Sequence, residues 1–231
     1  MGGLLSPANL HKRSELARVI DHTLLRATAT SADIDVLCDE ALKYDFWGVC
    51  VNPVHVKQAA RRLTGSRTAV CSVVSFPLGS STSEMKLMEA RAAIADGARE
   101  IDMVSNIGAL KSGDTRTYFS DINEVAAFCG RSNTTLKVII ECCYLTDEEK
   151  VEGARLAEQA GANFVKTSTG FGTGGATAAD VSLLRKALAT RTGVKAAGGI
   201  GTLAKAMEMI NAGAARIGTS SGAKIMDELT V

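Results

Sequence analysis

A single alternation runs through the chain and constrains its fold more than any other feature. A short apolar run ends in small polar or glycine residues, helical spacing follows, and the unit recurs eight times. The runs are Val19 to Thr23, Trp47 to Val51, Thr68 to Val74, Glu100 to Val104, Leu136 to Glu141, Asn163 to Lys166, Gly193 to Ala197 and Ala215 to Thr219. Helices are predicted to start at Ser31, Pro53, Ser81 (a capping box with Glu84), Thr146 (a second box, with Glu149), Thr177 and Thr202. Hydroxyl residues satisfy the free N–H groups of a first turn, and proline lacks one. A loop holding Gly108 and Gly113 leads to another helix, from about Asp114 to Cys129. Strands that alternate with helices pair in parallel, because each needs a crossover. Eight such units predict a closed (β/α)8 TIM barrel, with an open doubly wound sheet as the alternative. No linker or shift in composition divides the chain, so residues 1–231 are expected to form one domain. A surface segment over residues 1–18 would end in a short N-terminal helix, Lys12 to Arg18.

Charge and composition narrow the function. The net charge is +1 and aromatics are only 4%, which gives no case for nucleic acid, by electrostatics or by base stacking. No apolar run is long enough to span a bilayer, and Met1 to Leu10 lacks the pattern of a signal peptide. The six cysteines form no CxxC pair, which predicts reduced, buried thiols and a cytoplasmic location. His11, His22 and His55 are isolated, so no metal site is expected. Gly170-Phe171-Gly172-Thr173-Gly174-Gly175 matches GxGxxG, but the next strand ends in Lys195-Ala196-Ala197-Gly198, without the acidic residue a dinucleotide site needs. No cofactor is expected.

The chemistry concentrates at strand ends. Strand residues alternate between the barrel interior and the helices. Ile101 and Met103 should face helices, which turns Asp102 inward together with Glu100. By the same parity Lys166 and Lys195 face in, on strands that would be neighbours. The three could form a structural salt-bridge cluster. They could also be catalytic: a second ammonium disfavours the charged form of the first, and an unprotonated lysine is a nucleophile for carbonyl groups. Lys166 at its strand end is the candidate nucleophile, Lys195 the source of the field, and Asp102 the group that moves protons. Cys50 should face the interior as a buried thiol. The glycine segments Gly198-Gly199 and Gly218-Thr219-Ser220-Ser221-Gly222 follow the last two strands, where barrels often hold a phosphate.

At these residues the sequence resembles the deoxyribose-phosphate aldolase family. The matching blocks are Ile20-Asp21-His22-Thr23-Leu24-Leu25, Val49-Cys50-Val51-Asn52-Pro53, Glu100-Ile101-Asp102-Met103-Val104, Leu136-Lys137-Val138-Ile139-Ile140-Glu141, Lys166-Thr167-Ser168-Thr169-Gly170, Lys195-Ala196-Ala197-Gly198-Gly199-Ile200 and Gly218-Thr219-Ser220-Ser221. They cover nearly the whole chain from about Leu16. The resemblance implies a metal-free class I aldolase that splits 2-deoxy-D-ribose 5-phosphate into D-glyceraldehyde 3-phosphate and acetaldehyde. It makes Lys166 the Schiff-base lysine, with Lys195 and Asp102 in proton relay. Asp21, Thr23, Cys50 and Thr169 would line the substrate pocket. Gly170, Gly198, Gly199, Gly218, Ser220 and Ser221 would hold the phosphate. It also implies a homodimer or larger homo-oligomer. Some members carry a lysine where Phe171 stands, and some a C-terminal tail with a tyrosine, whereas Tyr44, Tyr118 and Tyr144 lie far upstream of Leu229-Thr230-Val231. Phosphate is therefore expected to rely more on backbone N–H groups and serines. A water is expected in the tyrosine's place, or else slower turnover. Met1 to Ala8 fall outside the resemblance.

Overall fold

A computed structural model describes residues 13–229. The surface segment expected before them, Lys12, Thr230 and Val231 lie outside the described residues. The chain forms β1 (Ile20–Leu24), β2 (Gly48–Val51), β3 (Ala69–Val74), β4 (Glu100–Val104), β5 (Thr135–Ile139), β6 (Phe164–Lys166), β7 (Gly193–Ala197) and β8 (Arg216–Thr219). The strands pair in order, all parallel, and β8 closes on β1. This is the closed (β/α)8 barrel and not the open sheet.

The helices are α1 (Arg13–Ala17), α2 (Ser31–Tyr44), α3 (Val56–Arg62), α4 (Ser83–Ala95), α5 (Ile107–Lys111), α6 (Thr115–Arg131), α7 (Asp147–Gln159), α8 (Ala178–Ala187), α9 (Leu203–Asn211) and α10 (Gly222–Asp227). Thr146, Thr177 and Thr202 cap their helices as the sequence predicts. Two other starts shift by one residue. Thr30, not Ser31, caps α2, because Asp33 returns the bond to the Thr30 N–H. Thr82, not Ser81, caps α4, its side chain accepting from the Met85 N–H, while the Ser81 N–H donates to Ser75 Oγ in the loop. The expected loop around Gly108 contains α5, whose N-cap is the Asn106 side chain.

Two cores follow from strand alternation. Ile101, Met103, Val138, Val165, Val194 and Ile217 point outward and are buried against the helices. A buried pair, Lys86 Nζ with Asp121 Oδ2 at 2.5 Å, ties α4 to α6, and Lys86 also donates to the Val104 carbonyl at the end of β4. Inside the barrel a small apolar cluster of Leu25, Cys50, Cys71 and Val73, with Phe76 against it, occupies one side. Barrel interiors are ordinarily filled with branched apolar side chains. Here much of the interior is charged.

Candidate active site

The charged interior is built by parity and register. Lys166 pairs with Lys195 across β6 and β7, Lys195 with Arg216 across β7 and β8, and Asp102 with Lys137 across β4 and β5. Side chains at paired positions leave the sheet on the same face. Asp102 is the hub. Its Oδ2 accepts from Lys166 Nζ and from Lys195 Nζ, both at 2.8 Å, and its Oδ1 from Lys137 Nζ at 2.8 Å and from the Cys71 thiol at 3.1 Å. Lys195 Nζ also donates to Asp21 Oδ2 at 2.5 Å. Arg216 bridges Asp21 Oδ1 at 2.8 Å and Glu100 Oε2 at 3.1 Å. Its guanidinium carbon lies 4.2 Å from the Trp47 ring centroid, and Lys137 reaches Glu100 at 2.6 Å.

Asp21, Glu100, Asp102, Lys137, Lys195 and Arg216 are all driven toward their charged forms. Burial alone would push the Asp21, Glu100 and Asp102 carboxyls up. The cations around them outweigh burial: Arg216, Lys195 and Lys137 at Asp21, Lys137 and Arg216 at Glu100, and all three lysines at Asp102. All three carboxyls end below the usual range, Asp102 well below it. Burial likewise opposes the charge on Lys137, Lys195 and Arg216, and their carboxylates reverse it, so all three titrate above their ordinary values. Three anions and three cations therefore cancel. Lys166 is the seventh group, sharing one Asp102 oxygen with Lys195 and without a carboxylate of its own. The interior is neutral when Lys166 carries no proton.

Above this floor lies a cleft of about 540 Å³. Lys166 and Arg26 are the cationic residues lining it, Lys166 at the floor and Arg26 in the loop after β1. Thr23, Thr169, Gly170, Gly198, Gly199, Gly218, Ser220 and Ser221 line it as well, with Phe171 at its rim, 56% exposed. Two glycines are required by space. Gly198 has φ +89°, and a Cβ there would stand 3.0 Å from Gly175 Cα. A Cβ on Gly218 would stand 3.0 Å from Lys195 Cε, so its absence makes room for that side chain.

Thus Asp102, Lys166 and Lys195 come together as expected, and the salt-bridge cluster is present too. Lys166 is the member of that cluster that opens to the cleft. Asp21 and Cys50 do not line it. Asp21 lies in the floor, bonded to Lys195 and Arg216, and Cys50 is fully buried in the inner apolar cluster. Lys137 and Arg216 escaped the sequence reading, although Leu136 and Val138, and Ala215 and Ile217, flank them with the same parity signal. Arg26 carries no such signal, because loop residues have no period. Cys50, Cys71 and Asp102 stand close enough to share an ion. The set suits one poorly, since both Asp102 oxygens are taken by ammonium groups that would repel it.

No helix among the described residues is long and apolar enough to cross a membrane. Residues 16–228 match the model of the DeoC/LacD family aldolases. A deoxyribose-phosphate aldolase of Thermococcus kodakarensis is 55% identical over 220 residues, 94% of this chain and 98% of the relative. One from Thermococcus gammatolerans is 54% identical over 215 residues, 92% and 96% of the two chains. Among solved structures, the tetrameric deoxyribose phosphate aldolase of Aeropyrum pernix superposes with a TM-score of 0.89 at 32% identity, covering 95% of this chain and 93% of that one. With a family model spanning the barrel and relatives matched along nearly their whole length, the chain belongs to the DeoC/LacD family of aldolases.

Proposed function

We propose that this chain is a class I aldolase that reversibly cleaves 2-deoxy-D-ribose 5-phosphate into D-glyceraldehyde 3-phosphate and acetaldehyde, through a Schiff base on Lys166. One observation carries the reading: Lys166 is the lysine of the cleft, and its one carboxylate partner, Asp102, is shared with Lys137 and Lys195 in an otherwise charge-balanced floor. A free amine in that position attacks a carbonyl carbon. The relatives' shared activity supports the choice of substrate.

The amine of Lys166 adds to the substrate aldehyde, and loss of water from the carbinolamine gives a protonated imine. Asp102, directly or through water, takes the proton of the C3 hydroxyl. The C3–O bond becomes a carbonyl, and the C2–C3 electron pair moves toward the imine nitrogen. Glyceraldehyde 3-phosphate leaves and an enamine remains. Protonation of the enamine at C2 and hydrolysis release acetaldehyde and restore the amine. Lys195, bonded to the same Asp102 oxygen, supplies the field and relays the proton, and Asp21 holds Lys195 in place. Thr23 and Thr169 face the substrate from the cleft walls, with Cys50 beneath. Gly170, Gly198, Gly199, Gly218, Ser220 and Ser221 take the phosphate at the glycine side. Arg26 supplies the positive charge that Phe171 does not.

The reaction belongs to the breakdown of deoxyribonucleotide sugars. We further read the protein as a cytoplasmic homo-oligomer. Its six free cysteines suit a reducing compartment, and the Aeropyrum pernix relative is a tetramer. The direct test couples acetaldehyde release from 2-deoxy-D-ribose 5-phosphate to an alcohol dehydrogenase. Steady NADH consumption supports the assignment, and its absence with folded protein overturns it.

A further inference from the structure

Glu141 is a buried carboxylate that the reaction above does not use. It follows β5, is 1% exposed, and has a left-handed backbone (φ 55°, ψ 68°), which a residue with a Cβ adopts only at a cost. No cation pairs with it among the described residues. Apart from the Cys143 thiol, 3.8 Å from Oε1, its partners come from the loop after β6. The Thr169 N–H points between its two oxygens at 3.2 Å from each, and the Thr169 hydroxyl lies 2.5 Å from Oε2. Gly172 presses on the same group, since a Cβ there would stand 3.1 Å from Glu141 Cδ.

A carboxylate has no proton to give, so the Thr169 hydroxyl must spend its own on Glu141. One Thr169 Oγ1 lone pair then accepts the Phe171 N–H at 3.0 Å. What Thr169 shows to the cleft is a remaining lone pair, an acceptor only. We propose that Glu141 is a positioning residue that fixes this polarity, so that Thr169 selects a substrate hydroxyl and cannot bond a carbonyl oxygen. Resting on the aldolase reading, the inference names the group. Thr169 lies three residues beyond Lys166 and beside Gly170, so it faces the carbons between imine and phosphate. In the addition direction, the acceptor's carbonyl oxygen carries no proton for Thr169, whereas the hydroxyl on the neighbouring carbon does. Glu141 thereby makes the site prefer 2-hydroxy aldehydes.

The test compares two acceptors for acetaldehyde addition, glyceraldehyde 3-phosphate and 3-oxopropyl phosphate, which differ only in that hydroxyl. The wild type is expected to favour the first in kcat/KM by about tenfold, the scale of one hydrogen bond to a site group otherwise left unpaired. Glu141→Gln keeps the shape but places an NH2 against Thr169 Oγ1, which turns the hydroxyl proton into the cleft. That hydroxyl can then also donate to the carbonyl oxygen of either acceptor, so the ratio should fall, although a substrate hydroxyl can still accept from it. Thr169→Val should collapse the ratio toward one, while Thr169→Ser, which keeps the hydroxyl, should retain it. Should Glu141→Gln not fold, the two Thr169 variants still decide the matter. A wild-type ratio near one, an unchanged ratio in Thr169→Val or in folded Glu141→Gln, or an equal loss on both acceptors in either variant overturns the inference and leaves the aldolase reading standing. Addition to neither acceptor by the wild type removes both.

Discussion

The floor and the mouth of the barrel are built from opposite materials. The floor is made of long charged side chains on β1, β4, β5, β7 and β8, fully paired and closed to water. The mouth is made of glycines, hydroxyls and backbone, with one cation, Arg26, paired with Asp33, and it is open to solvent. The contrast separates two tasks. Buried charges set the protonation of one amine, because their fields are strong where water is absent. Short neutral groups hold a ligand that must also leave. Lys166 stands at the boundary and is the residue both regions serve.

The largest effect should come from the boundary itself. Lys166→Leu is expected to reduce turnover to background with the fold intact by circular dichroism, since Asp102 keeps Lys137 and Lys195 as partners. Retained cleavage would dissolve the distinction between floor and mouth. Next, Lys195→Leu removes one cation from a balanced set, so the proton stays on Lys166 to higher pH. Activity should fall by roughly 10²–10⁴-fold near neutral pH, and the acidic limb of the pH–rate profile should move upward. An unmoved profile would count against the role of Lys195.

The floor should also matter for stability. Arg216→Met leaves Asp21 and Glu100 each short of a partner and should cost about 3–5 kcal/mol in denaturant unfolding. A neutral result would mean that water reaches the floor. The folded carboxyls titrate below their unfolded values, so their stabilisation is present above about pH 4 and is lost as the pH falls further. Lys137 and Lys195 titrate above theirs, so their contribution holds below about pH 10 and is lost as the pH rises beyond it. Calorimetric melting should show a plateau between these limits and a decline on both sides. The mouth should respond least: Arg26→Ala should raise KM for the phosphorylated substrate by about tenfold with little change in kcat. A comparable fall in kcat would assign Arg26 to more than binding.

Strand parity alone turned Asp102, Lys166 and Lys195 inward, and it would have turned Lys137 and Arg216 inward as well. Depth was not legible. Asp21 lies two residues before Thr23 on β1, and Cys50, although paired with Thr23, packs with Leu25, Cys71 and Val73, so neither reaches the cleft. Cap positions shifted by one at Thr30-Ser31 and at Ser81-Thr82, where two hydroxyls stand side by side and either could accept. Glu141 was visible as the end of a strand block. Its role was not, since nothing local in the sequence brings it to Thr169 across 28 positions.

The most direct test of the account is intact mass and peptide mapping after incubation with acetaldehyde and sodium borohydride. The account predicts one reduced ethyl adduct, on Lys166, with Lys137 and Lys195 unmodified because both are buried and held protonated. No adduct on folded protein, or an adduct on another lysine alone, would contradict it and leave a barrel that binds sugar phosphates without imine chemistry at Lys166.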